Sequence, residues 1–150
     1  MNHVTEAPGA GIGITYRMGF TVGEHSARHM RRILRIYLEQ WGMPALGDPA
    51  ALALTELVAN VVRHVPDRHC AVLILRQSHG LRVEVVDPYP EPPRISRNGD
   101  VLADGGRGLL LVEAVTDRWG TEPAGTGKTV WFECDAKAPV PRRRVSRRSR

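Results

Sequence analysis

The chain has 150 residues, with 21 lysines and arginines against 16 aspartates and glutamates, a formal charge of +5 and a pI near 9.9. That length suits one domain of ordinary size, and 42% hydrophobic with 25% charged residues excludes wholesale disorder. No internal repeat points to a solenoid, no apolar run reaches the roughly 18 residues of a membrane span, and the N-terminal MNHVTEAPGAGIGIT lacks the basic and apolar regions of a signal peptide. Two cysteines, Cys70 and Cys134, are too few for a disulfide framework and read as reduced core or edge residues, so a cytoplasmic protein is expected.

The basic pI belongs to one terminus. Residues 136–150, AKAPVPRRRVSRRSR, carry seven basic residues and no acid. Without them 14 basic residues face 16 acidic ones, a formal charge of −2. A segment without apolar periodicity cannot offset its ordering entropy, so 136–150 is expected to be a disordered tail. It is either a solubilising terminus or a contact for nucleic acid, an acidic protein or anionic lipid. Residues 1–11 read as a flexible leader and 12–135 as the folded domain. The net negative domain shows no stacking platform and is not expected to bind nucleic acid directly.

Along that domain, IGITYRMGF (12–20) suits an edge strand. Thr21 and Glu24 have the spacing of a capping box. Behind them Ala27, Met30, Ile33, Leu34, Tyr37, Leu38 and Trp41 recur at helical steps, until Gly42 and Pro44 stop the helix. Arg28, Arg31, Arg32 and Arg35 take the remaining face. Asp48 as N-cap and Pro49 at the first helical position open a second helix, apolar nearly all round, that runs to His64 before Pro66. CAVLILRQ and LRVEVVD read as strands joined by a hairpin through Ser78, His79 and Gly80. A long Pro- and Gly-rich loop covers 88–106, and GLLLVEAVTDRW is a third helix. Two closing strands turn around Gly125 and Gly127. This order predicts an α+β sandwich, helices packed on one face of a mixed, mainly antiparallel sheet.

Several residues stand out against this frame. Glu56 and Asn60 lie four apart on the apolar helix, on one side of it. Buried polar groups need partners, and oxygen ligands beside a base suit a Mg²⁺–phosphate site; the alternative is a polar pair exposed on the helix edge. Asp87 ends a buried strand, where it either caps the following turn or accepts a hydrogen bond from an exocyclic amine. Gly105, Gly106, Arg107 and Gly108 precede the third helix, where glycines admit a phosphate to free N–H groups and an arginine adds charge. GTGKT is not a P-loop: Glu122 stands where its first glycine belongs, and a strand follows instead of a helix. His64, His69 and Cys70 match no zinc spacing.

In this order the segments resemble the Bergerat fold of the GHKL superfamily, the ATP-binding fold of histidine kinases, DNA gyrase, Hsp90 chaperones and MutL, over residues from about 15 to 135. TELVANVVRH resembles the N box and VVDPYP stands where the adenine-binding D-x-G-x-G box falls. GGRGLLLVEAVTDRWG resembles the second glycine box and GTGKTVWFE the last one. In lacking phosphotransfer helices or a second domain, the chain is similar to the anti-sigma-factor serine/threonine kinases. The resemblance implies ATP and Mg²⁺ as cofactors. Asn60 would help hold Mg²⁺ on the phosphates, and Glu56 would be the general base toward a protein hydroxyl. Asp87 would bind the adenine amine, Gly106, Arg107 and Gly108 the phosphates, and Thr129 would support the adenine side. Residues 88–105 would form a lid. It also implies a sigma factor and an anti-anti-sigma protein as partners, with the arginine-rich helix serving sigma binding or a homodimer. A non-catalytic nucleotide-sensing module that binds a regulatory protein is the alternative. Pro88, Tyr89 and Pro90 replace the glycines expected after Asp87, and Asp104 stands where some such kinases carry a basic residue.

Overall fold

Period-two alternation builds the sheet. The computed structural model describes residues 15–91 and 106–137; the expected leader, most of the lid and most of the arginine tail lie outside the described residues. In chain order the elements are β1 (Thr15–Thr21), α1 (Ser26–Gln40), a short 3₁₀ turn (Pro44–Leu46), α2 (Gly47–His64), β2 (His69–Gln77), β3 (Gly80–Asp87), α3 (Gly106–Val115), β4 (Arg118–Ala124) and β5 (Gly127–Asp135). The strands lie in the order β1-β2-β3-β5-β4, and all four pairings are antiparallel. Every second residue of a strand therefore faces the helices: Val72 and Ile74, Leu81, Val83 and Val85, Val130, Phe132 and Cys134 are all buried there. This is the two-layer α+β sandwich expected from the element order.

The helices close the other side of that core. Met30, Leu34 and Leu38 of α1, four residues apart, are buried against α2, whose Leu54, Leu57, Val58 and Val61 reach the sheet. Leu109 and Val112 bring α3 onto the same layer. Gly42 ends α1 in the left-handed region at φ 72, so that Met43 N–H donates to Leu38 O at 2.8 Å. On the outer face Glu133 accepts from Arg82 at 2.9 Å and Arg118 at 3.1 Å, and the Arg82 guanidinium lies 4.2 Å from the Trp131 ring centre.

Several boundaries differ from expectation. Thr21 is the last residue of β1, paired with His69, so it cannot cap α1; that helix starts at Ser26 without a side-chain cap, and Ser26 Oγ accepts from Gly23 N–H instead. Asp48 sits inside the first turn of α2 and pairs with Arg35 at 3.0 Å. α3 stops at Val115, because Asp117 N–H already bonds Glu133 O and Trp119 belongs to β4. Leu52 and Val62 are exposed, so α2 is not apolar on a wholly buried surface. One stretch, Pro44–His64, does reach the length and apolarity of a membrane span, with 50% of it buried inside the domain. Packing between sheet, α1 and α3 accounts for its composition.

Candidate functional site

The second half of α2 carries the polar pair. Asn60 is 7% exposed, and neither its amide nitrogen nor its oxygen has a hydrogen-bond partner among the described residues. An unpaired buried amide costs free energy, so its retention inside an apolar helix face points to something it meets beyond the described residues. Glu56 stands one turn earlier and is half-buried. The first turn of α3 comes directly against it. A Cβ on Gly108 would lie 2.6 Å from Glu56 Oε2, so glycine lets the Glu56 carboxylate lie directly against the α3 backbone.

Gly106, Arg107 and Gly108 all fall in that first turn, where backbone N–H groups are not consumed within the helix. Carboxylate, carboxamide and helix N-terminus thus come from two helices that pack on each other. Among the described residues no three His, Cys, Asp or Glu side chains gather to hold a metal. A hard cation here would take the Asn60 carbonyl oxygen and complete its shell with water and phosphate, which fits Mg²⁺.

The second part of the site is at the end of β3. Asp87 is 5% exposed, on the helix-facing side of the sheet. Its Oδ1 accepts from Tyr89 N–H at 2.8 Å, so it caps the turn that follows. The same oxygen accepts from Lys128 Nζ at 3.1 Å, and Nζ also donates to the Tyr89 carbonyl at 2.9 Å. Gly127 makes this pairing possible: a Cβ there would stand 1.9 Å from the Asp87 carbonyl oxygen.

Thr129 requires a correction. It pairs with Val86 and Glu122, on the outer face of the sheet, away from Asp87. Strand alternation gives the position beside Asp87 to its neighbour Lys128, which shares the phase of Val130, Phe132 and Cys134 and lies 6% exposed. A lysine in phase with the buried residues of a strand was the available signal. Both cysteines are free and buried, as expected. A groove of about 560 Å³ lined by Met43, Leu46, Pro49, Val115 and Asp117 lies near the start of α2, about three helical turns from Asn60.

A sheet covered on one face, with an orphaned carboxamide on the central helix and a buried carboxylate at the strand end, belongs to the ATP-binding domains of Bergerat type. A family model of the histidine kinase-like ATPase domain matches residues 21–134, and the chain belongs to that family. It is 33% identical over 91 residues to the uncharacterized protein SCO4941 of Streptomyces coelicolor, a match covering 58% of this chain and 86% of that protein. Its fold is similar to the RsbU and RsbW domains of Rv1364c from Mycobacterium tuberculosis, with a TM-score of 0.56 and 20% identity. That match covers 79% of this chain and 32% of the other, so the chain spans about a third of that longer relative.

Proposed function

We propose that the protein is a cytoplasmic, ATP- and Mg²⁺-dependent serine/threonine protein kinase of the anti-sigma-factor type, acting on an anti-anti-sigma protein. The observation that carries this reading is the buried Asn60 amide, unpartnered among the described residues, one turn from Glu56, which itself lies against Gly108 at the α3 N-terminus. Bound Mg²⁺ would neutralise phosphate charge, with Asn60 as its one ligand from this pair. Gly106 and Gly108 let backbone N–H groups face the phosphates, and Arg107 adds positive charge in the same turn. Glu56 takes the proton of the protein hydroxyl while that oxygen bonds the γ-phosphorus. The bond from γ-phosphorus to the β,γ-bridging oxygen breaks, and ADP leaves with its electron pair. Asp87 accepts the adenine amine.

A second reading, a nucleotide sensor that binds a regulatory partner without phosphorylating it, has one observation in its favour: Asp87 is already tied to Lys128 and to the Tyr89 turn. Calorimetric titration with Mg·ATP, with Asp87→Ala as control, tests the shared pocket. Transfer of label from γ-labelled ATP to candidate anti-anti-sigma proteins then separates the two readings. The kinase reading expects Glu56→Gln to lower transfer by about 10²-fold or more with nucleotide binding retained. Transfer unchanged in Glu56→Gln would remove the general base. ATP binding with no transfer by the wild-type protein would favour the sensor.

A further inference from the structure

At the base end of the site the sheet holds a lysine that the polar pair on α2 does not explain. Lys128 is the register partner of Asp87, and both are buried on the helix-facing side. An ammonium has three protons to donate. Lys128 gives two of them, to Asp87 Oδ1 and to the Tyr89 carbonyl. No third hydrogen-bond acceptor meets it among the described residues; its remaining contact is with the Tyr89 ring, whose centre is 5.4 Å from Nζ. Both recorded bonds to the Asp87 carboxylate fall on Oδ1, so among the described residues no donor reaches Oδ2. Strand pairing thus sets one unspent donor and one unspent acceptor side by side.

A lone carboxylate selects adenine. It accepts from the exocyclic amine, and it repels the carbonyl oxygen that guanine and hypoxanthine carry at the same ring position. A carboxylate flanked by an ammonium does not discriminate in this way. Adenine can give its amine proton to the carboxylate and take a proton at ring nitrogen N1. A 6-oxopurine can give its N1 proton to the carboxylate and take one at O6, an acceptor that lysine commonly meets in guanine recognition. We propose that Lys128, placed against Asp87, opens this site to 6-oxopurine nucleotides, so that the protein binds GTP as well as ATP. This rests on the nucleotide-site reading above and extends its substrate class.

The test is a competition between nucleotides on the full-length protein. Calorimetric titration with Mg·ATP and with Mg·GTP is expected to give dissociation constants within about tenfold of each other, since each base satisfies both groups. Lys128→Met removes the donor to O6, so GTP affinity is expected to fall at least about tenfold more than ATP affinity. Lys128→Arg, which keeps a buried cationic donor, is expected to retain GTP binding. Because the readout is a ratio on one sample, partial unfolding of a variant does not mimic the effect. ATP binding with no GTP binding by the wild-type protein overturns the proposal, as does an unchanged ratio in Lys128→Met. Binding of neither nucleotide instead overturns the nucleotide-site reading itself.

Discussion

Replacing Asn60 by leucine should make the domain more stable and unable to respond to nucleotide. Leucine reproduces the branched outline of asparagine, with methyl groups where the unpaired amide nitrogen and oxygen stand. Leaving a buried polar group unsatisfied costs about 1–3 kcal/mol, and the added methyl volume takes some of that gain back. A net gain of about 1–2 kcal/mol remains, worth about 4–8 °C in Tm at about 4 °C per kcal/mol for a domain of this size. The assay is thermal unfolding by circular dichroism, with and without Mg·ATP. At a hundredfold excess over its dissociation constant the ligand should stabilise the wild-type domain by about 2.7 kcal/mol. In Asn60→Leu that ligand-induced rise should disappear while the ligand-free Tm goes up. A lower ligand-free Tm would mean that the amide is satisfied in the folded state. A full ligand-induced rise in the variant would mean that Asn60 does not meet the phosphates or their ion.

Two glycines should separate fold from activity. Gly127→Ala drives a methyl to 1.9 Å from the Asp87 carbonyl oxygen and 2.7 Å from Pro88 Cα, and neither can yield without opening the ladder. Urea unfolding should show a loss of at least about 3 kcal/mol. Gly108→Ala meets chiefly the tip of Glu56, which can rotate away, so stability should stay within about 1 kcal/mol, and the proposed kinase activity should fall at least about tenfold. Burial pushes the Cys70 and Cys134 thiols up to about 12, with nearby carboxylates adding to the shift, so Ellman's reagent at pH 8 should react with neither until denaturant is added. Burial works to raise the Glu133 carboxyl, but hydrogen bonds from Arg82, Arg118 and His79 outweigh it and hold the group below its ordinary 4.5. A depressed folded value contributes stability above 4.5 that is lost as pH falls through it. Glu133→Gln should therefore flatten the acid limb of a stability-against-pH curve.

What could be read from the residues alone follows the strength of local patterns. Strands β2 and β3 and helices α1 and α2 carry long apolar periodicities, and each was recovered to within a few residues. The boundary errors have particular causes. Thr21 and Glu24 fit a capping box, yet Thr21 was held by strand pairing with His69, a contact across 48 positions that no local window contains. Trp119 continued a helical apolar pattern but was taken by β4 once Asp117 N–H bonded Glu133 O. Glu56 and Asn60 were legible as an anomaly, polar residues on an apolar helix. Of their two readings, the exposed helix edge fails for Asn60, which is buried with no hydrogen-bond partner among the described residues. Thr129 stands one residue from the position beside Asp87, and in a strand one residue is the difference between two faces.

The departures from the glycine-rich adenine box and the lysine at 128 explain each other. In place of permissive glycines, the turn after Asp87 has Pro88 and Pro90, which donate no backbone hydrogen bond and narrow φ. Tyr89 between them keeps its N–H and spends it on Asp87 Oδ1, while its half-buried carbonyl faces Lys128. Lys128 satisfies that carbonyl and the carboxylate together from the adjacent strand. Remove the lysine, and a buried carboxylate and a half-buried carbonyl both lose a charge-assisted bond, a loss of about 3–5 kcal/mol by the usual cost of breaking a buried pair. Remove the tyrosine turn, and the ammonium loses one of its two acceptors. Each change strips the other of a partner, so the stiff turn and the buried ammonium act as one device. They replace backbone freedom at the end of β3 with a fixed donor and acceptor. A site of this kind gives up the flexibility of glycine and keeps its carboxylate, and what it recognises is set by the pair.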